Sequence, residues 1–155
     1  GAGQIVAAGA QDALVKFAED PPAGARVRPL QVAGAFHTPF MAPAEQALGV
    51  VAADVTVADP ARMLLSNADG TSVPDGAEVL QRLVRQVTSP VRWDLCMRSM
   101  KELGVTAVLE LPPAGTLAGL VKRELKGDGA PEIVTLNTPA DLPAARDLIA
   151  RHASS

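Results

Sequence analysis

The run Val105-Thr106-Ala107-Val108-Leu109-Glu110-Leu111, bounded by Pro112-Pro113, is apolar and rich in β-branched residues, and it predicts a strand. Its neighbours on both sides carry the helical period. Upstream, Trp93 to Leu103 places Trp93, Met97 and Met100 on one stripe, with Gly104 just after it as a C-terminal cap. Downstream of Gly115, Leu117, Leu120, Val121 and Leu125 face one way, while Lys122, Arg123 and Glu124 face solvent or a partner. A further strand is predicted from Glu132 to Leu136 and a last helix over Leu142, Ala145, Leu148 and Ile149. Strands that alternate with helices imply an α/β layered fold with a largely parallel sheet.

Working back from this half, Asp75 is placed to cap a helix whose Val79, Leu80, Leu83, Val84 and Val87 share a face, and which ends before Pro90. Met63-Leu64-Leu65 reads as a short buried strand, and Ser66-Asn67-Ala68-Asp69-Gly70 as a turn. A helix begins near Ala42, with Ala44, Leu48, Val51 and Ala52 on its stripe. Near the start, the strand candidates Gln4 to Ala8 and Val27 to Val32 flank a helix from Gln11 to Glu19, a compact βαβ-like unit. The opening Gly1-Ala2-Gly3-Gln4-Ile5 enters a strand pattern without an initiator Met, as in a chain cut from something longer.

Composition narrows the function classes. The chain has 155 residues, 48% hydrophobic and 20% charged, enough for one globular domain with a core. A net charge of -3 and no Lys/Arg run argue against nucleic-acid binding. No apolar run approaches the roughly 20 residues that span a bilayer, which predicts a soluble protein. The lone Cys96 excludes an internal disulfide and a cysteine metal cluster, and fits a cytoplasmic location. No cofactor or metal site is expected, since Asp54, Asp59 and Asp69 are scattered without ligand spacing.

His37 is the candidate for proton transfer near neutral pH. It lies in Gly34-Ala35-Phe36-His37-Thr38-Pro39-Phe40-Met41, on the turn between a predicted strand and a predicted helix, where catalytic groups are commonly presented. A histidine that merely satisfies backbone groups in a turn fits the same position. His152, three residues from the end, reads as solvated. Ser66 sits at a strand end but lacks the glycines of a nucleophile elbow, and no GxSxG is present. Cys96 and Trp93 read as core residues of their helix.

Several pieces taken together resemble the C-terminal half of the malonyl-CoA:acyl carrier protein transacylases, actinobacterial members above all, and more distantly polyketide synthase acyltransferases. They are Gly3-Gln4-Ile5-Val6, Gly34-Ala35-Phe36-His37-Thr38 with Met41, Ser66-Asn67, Gln86 with Ser89-Pro90-Val91-Arg92-Trp93, Glu102-Leu103-Gly104-Val105, and Leu117 to Leu120 with Lys122-Arg123. The resemblance implies a partial ferredoxin-like small subdomain over 1-33 and the C-terminal part of an α/β-hydrolase-like large subdomain over 34-155. It implies malonyl-CoA as substrate and acyl carrier protein as partner, with His37 as general base and the Gln86 position supplying the backbone carbonyl that orients it. The family's GHSxG serine lies upstream of the matched region, so the resemblance implies that this chain needs the missing N-terminal half and is inactive alone. A basic patch of Arg92, Arg98, Lys101, Lys122 and Arg123 is the candidate docking surface for the acidic carrier protein. Pro112-Pro113-Ala114-Gly115 departs from the family's GPG turn. A polyketide-type acyltransferase and a non-catalytic interaction module are the other readings.

Overall fold

The computed structural model describes residues 3–153, which form two compact units, one of residues 5–92 and the other of residues 93–153 with 3–4. The first holds three α-helices among the described residues, α1 (Gln11–Glu19), α2 (Ala42–Ala52) and α3 (Gly76–Gln86). Helix α3 starts where two carboxylates meet its free N–H groups: Asp75 Oδ1 accepts from Glu78 N at 2.7 Å, and Asp59 Oδ1 from Gly76 N at 2.9 Å. Gly76 is needed there because a Cβ would fall 2.3 Å from the Ala58 carbonyl oxygen. The turn from Ser66 to Thr71 closes through Ser66 N to Thr71 O (2.9 Å) and Gly70 N to Ser66 O (2.8 Å). Arg82 on α3 holds this turn by pairing with Asp69 at 2.9 Å and Glu78 at 2.7 Å.

The strands expected over Gln4 to Ala8 and Val27 to Val32 do not form, and Met63 to Leu65 is reduced to one antiparallel bridge, Leu65 with Ser72. The physical reason is pairing. An apolar pattern favours extended backbone, but a strand exists only where a second chain segment accepts and donates its hydrogen bonds. Over Gln4 to Ala8 and Val27 to Val32 no strand ladder is formed among the described residues, and Ile5 is 92% exposed.

The second unit follows the alternation read from its sequence: α4 (Trp93–Glu102), β1 (Ala107–Glu110), α5 (Thr116–Glu124), β2 (Glu132–Thr135) and α6 (Leu142–His152). The two strands pair in parallel, Ala107 opposite Glu132 through Glu110 opposite Thr135, with α5 as the crossover that parallel strands require. Gly104 ends α4 at φ +67°, and Val105 N–H bonds back to Met100 O at 3.0 Å. Met97, Val121 and Leu125 form the core, with Trp93, Met100, Val108, Leu120 and Ile133 packed around it. Cys96 is buried on the same helix, and the buried Trp93 indole N–H has no hydrogen-bond partner.

Sequence reading missed Glu110. Its carboxylate, buried at the end of β1, accepts three backbone N–H bonds at the start of α5: from Gly115 (2.8 Å), Leu117 (2.9 Å) and Ala118 (2.9 Å). Burial pushes this carboxyl up, yet the bonds from Gly115, Ala118 and Leu117 together hold it below the usual glutamate range. Gly115 takes φ +125°, a conformation open to glycine, and it is the one residue of Pro112-Pro113-Ala114-Gly115 with positive φ.

Candidate functional site

The last carbonyls of a helix have no partner within it. At the end of α3 two of them meet His37: the His37 N–H donates to Val87 O at 2.9 Å, and its ring Nδ1 lies 2.7 Å from Gln86 O. A carbonyl oxygen only accepts, so Nδ1 carries the proton and the neutral ring keeps its Nε2 lone pair free. His37 and Gln86, 49 residues apart in sequence, are thus brought together in one unit.

The backbone of His37 is held in the left-handed region at φ +65°, the one residue other than glycine with positive φ among those described. Such a conformation costs of order 1 kcal/mol or more and persists where surrounding contacts impose it. Here the contacts are the two helix-end carbonyls, together with Thr38 Oγ1 donating to Ala35 O at 2.7 Å across the same loop. The ring is exposed, with Phe36 tilted beside it at 6.4 Å between centroids.

The other candidates are engaged elsewhere. Ser66 is buried, and its hydroxyl accepts from Ala68 N at 3.2 Å within its turn. Asp59 caps α3. Hydrogen bonds from the Thr71 N–H and hydroxyl, against a weaker effect of burial and with help from Arg82, hold Asp69 below the usual carboxylate range. No group of three or more His, Cys, Asp or Glu side chains among the described residues is placed to hold a metal ion. His152, expected to be solvated, instead has Nδ1 2.9 Å from Thr106 Oγ1 and Nε2 3.2 Å from Glu132 Oε2. Arg151 also pairs with Glu132, and the bonds from His152 and then Arg151 hold that carboxylate below its ordinary range. This cluster ties the end of α6 to the sheet.

A pocket of about 80 Å³ beside α3 is lined by Leu65, Ser66, Asn67, Leu83 and Gln86 among others. It is several times smaller than the roughly 300 Å³ at which small-molecule sites begin, so a substrate the size of an acyl-CoA is not enclosed there. What the geometry offers is a base: an exposed imidazole with its tautomer fixed by a neutral acceptor.

No protein-family model matches the chain. The malonyl CoA-acyl carrier protein transacylase of Mycobacterium tuberculosis is 55% identical over 147 residues, covering 95% of this chain and 48% of the relative. That of Haemophilus influenzae is 34% identical over 149 residues, 95% of this chain and 47% of the relative. The crystal structure of the Mycobacterium tuberculosis protein superimposes with a TM-score of 0.82 at 53% identity, over 88% of this chain and 44% of that one. A malonyl-transacylase solved in complex with its type II polyketide synthase acyl-carrier protein matches with a TM-score of 0.69 at 30% identity, over 79% of this chain and 38% of that one. The chain spans about half the length of the curated relatives it matches. By sequence and by fold it belongs to the malonyl CoA-acyl carrier protein transacylase family, as a stretch equivalent to about half of such a protein.

Proposed function

We propose that this chain is the C-terminal portion of an acyltransferase that moves malonyl from malonyl-CoA to the phosphopantetheine thiol of acyl carrier protein, and that it supplies the general base. The observation that carries the reading is the 2.7 Å contact between His37 Nδ1 and the Gln86 carbonyl. With Nδ1–H donated to that oxygen, Nε2 takes the hydroxyl proton of the serine that the family carries upstream of the matched region. The serine oxygen bonds to the malonyl carbonyl carbon, the carbon–sulfur bond breaks, and the proton passes from Nε2 to the departing CoA thiolate. The second half reverses the roles: the carrier-protein thiol gives its proton to Nε2, its sulfur bonds to the acyl carbon, and the serine oxygen leaves and recovers the proton. Positive charge on the ring is complemented by the negative end of α3, whose last carbonyls face it.

In this reading residues 1-33 are part of a ferredoxin-like small subdomain, residues 34-155 belong to an α/β-hydrolase-like large subdomain, and the enzyme works in the cytoplasm. Among the described residues no helix is long and apolar enough to cross a membrane. The exposed Lys122 and Arg123 in the last turn of α5, with Arg98 and Lys101 on α4, would receive the acidic carrier protein. A polyketide pathway is the second reading, favoured by the likeness to a transacylase solved with a polyketide carrier protein.

Transfer of labelled malonyl from CoA to carrier protein by the full-length protein tests the proposal. His37→Ala is expected to lower the rate by at least about 100-fold, the usual worth of a positioned general base. Transfer at the wild-type rate by that variant overturns the assignment of His37, and absence of transfer by the wild-type protein overturns the acyltransferase reading.

A further inference from the structure

Every residue has a backbone carbonyl, so a site that used only the carbonyl of residue 86 would accept almost any side chain there. The Gln86 side-chain amide nitrogen is nonetheless fully engaged. This Nε2 donates both hydrogens, to Ser89 O at 2.8 Å and to Pro90 O at 2.9 Å. These bonds fold residues 86–90 back over the end of α3. Pro90 itself has no N–H to add to the turn, so the Gln86 side chain supplies bonds that the backbone there does not. Gln86 O, besides meeting His37, accepts the Ser89 N–H at 3.3 Å, which fixes the direction of the carbonyl within the same turn.

A second tie comes from outside the turn. Thr88 Oγ1 lies 2.5 Å from Glu45 Oε2 and 3.3 Å from Arg85 O; its single hydrogen goes to the nearer, charged acceptor. Glu45 stands in the first turn of α2, the helix that leaves the His37 loop. The hydroxyl–carboxylate bond therefore joins the element carrying the base to the element carrying its acceptor, 43 residues apart.

We infer that the Gln86 side-chain amide, backed by the Thr88–Glu45 bond, is the positioning device of this site: it shapes the 86–90 turn so that the Gln86 carbonyl is aimed at His37 Nδ1 and the imidazole is kept in the tautomer with Nε2 free. The inference rests on the proposed role of His37 for its effect on rate, and on geometry alone for its effect on the tautomer. Gln86 acts through His37 and touches no reacting atom.

Two measurements on the full-length protein test it. With ¹⁵N-labelled histidine, the neutral-form ring signals of His37, assigned by their loss in His37→Gln, report which nitrogen is protonated. The wild type is expected in the Nδ1–H form. Gln86→Leu, of similar volume but without donors, and Gln86→Glu, whose carboxylate would face the two carbonyls, are expected to shift the ring toward Nε2–H. In malonyl transfer both are expected to lower kcat on the order of 10- to 100-fold with little change in KM, since misdirection of a positioned group by about 1 Å costs that much. Gln81→Leu, on the same helix and outside the site, is the control and is expected to match the wild type. Should the Gln86 variants not fold, Thr88→Val is expected to show the same two effects at smaller size.

A Gln86→Leu protein, or failing that Thr88→Val, with wild-type kcat and an unchanged Nδ1–H ring overturns the inference and leaves the acyltransferase reading intact. Full activity in His37→Ala overturns the assignment of His37 as base instead, and the tautomer measurement still decides whether the amide positions the ring.

Discussion

Imidazole offers two nitrogens, and occupying one decides what the other can do. His37 meets a carbonyl where many hydrolases use a carboxylate, and the neutral acceptor fixes the tautomer without placing a negative charge beside the ring. The cost is borne by the backbone at φ +65°. That geometry makes a stability prediction separate from catalysis. Asparagine tolerates the left-handed region and valine, branched at Cβ, does not. His37→Val is expected to be less stable than His37→Asn by about 1 to 2 kcal/mol in urea unfolding, and equal midpoints would mean that the strain is absent. Of this site the sequence disclosed His37 as a proton-transfer candidate between two elements. It could not disclose the left-handed backbone, which is imposed by contacts with residues some fifty positions away, and Gln86 entered only through family resemblance because nothing in its local spacing points to residue 37.

At the scale of elements, the helices and the two strands after Gly104 were legible because their information is local: apolar spacing, Asp75 as a cap, Gly104 and Gly115 as stops. The strands before residue 66 were not, because half of a strand's definition is its partner. Glu110 was missed for a different reason. A lone carboxylate in an apolar strand, five residues before the Gly115 N-cap, was the signal, and it marks a side chain that replaces a cap from within the sheet. Removing it by Glu110→Leu leaves three N–H groups without their acceptor and is expected to cost about 3 kcal/mol of the second unit's stability. The pH dependence has a definite sign. The folded-state value lies below the unfolded one, so the contribution is complete above the ordinary glutamate range and is lost as pH falls through the depressed folded value. The stability gap between wild type and Glu110→Gln should therefore be present near neutral pH and narrow as the solution is acidified below the ordinary glutamate range. A gap that stays constant over that range would show that the charge on Glu110 contributes nothing.

For the molecule as a whole, the two units differ in how much they bury. Residues 93–153 surround Met97 and Val121, both wholly inaccessible, and bury Ala118, Ala145 and Leu148 as well. Among residues 5–92 only Ser66, Gly70, Val73 and Gly76 are buried, while Ile5, Val6, Leu30, Val32, Val50, Val51, Met63 and Leu83 are all exposed. Apolar side chains exposed in such number on one unit promote association when nothing covers them. A backbone with so little buried around it also opens readily. Residues 1–155 expressed by themselves are therefore expected to self-associate. In amide exchange, slow protons should be concentrated in α4, β1, α5, β2 and α6, with residues 5–33 exchanging at close to unfolded rates and α3 in between, held by Asp75, Asp59 and Arg82. Sedimentation of the purified chain and exchange followed by mass spectrometry check both statements. A monodisperse monomer that melts in one cooperative transition, with residues 5–33 protected as well as the Met97 core, would mean that the first unit has a core of its own.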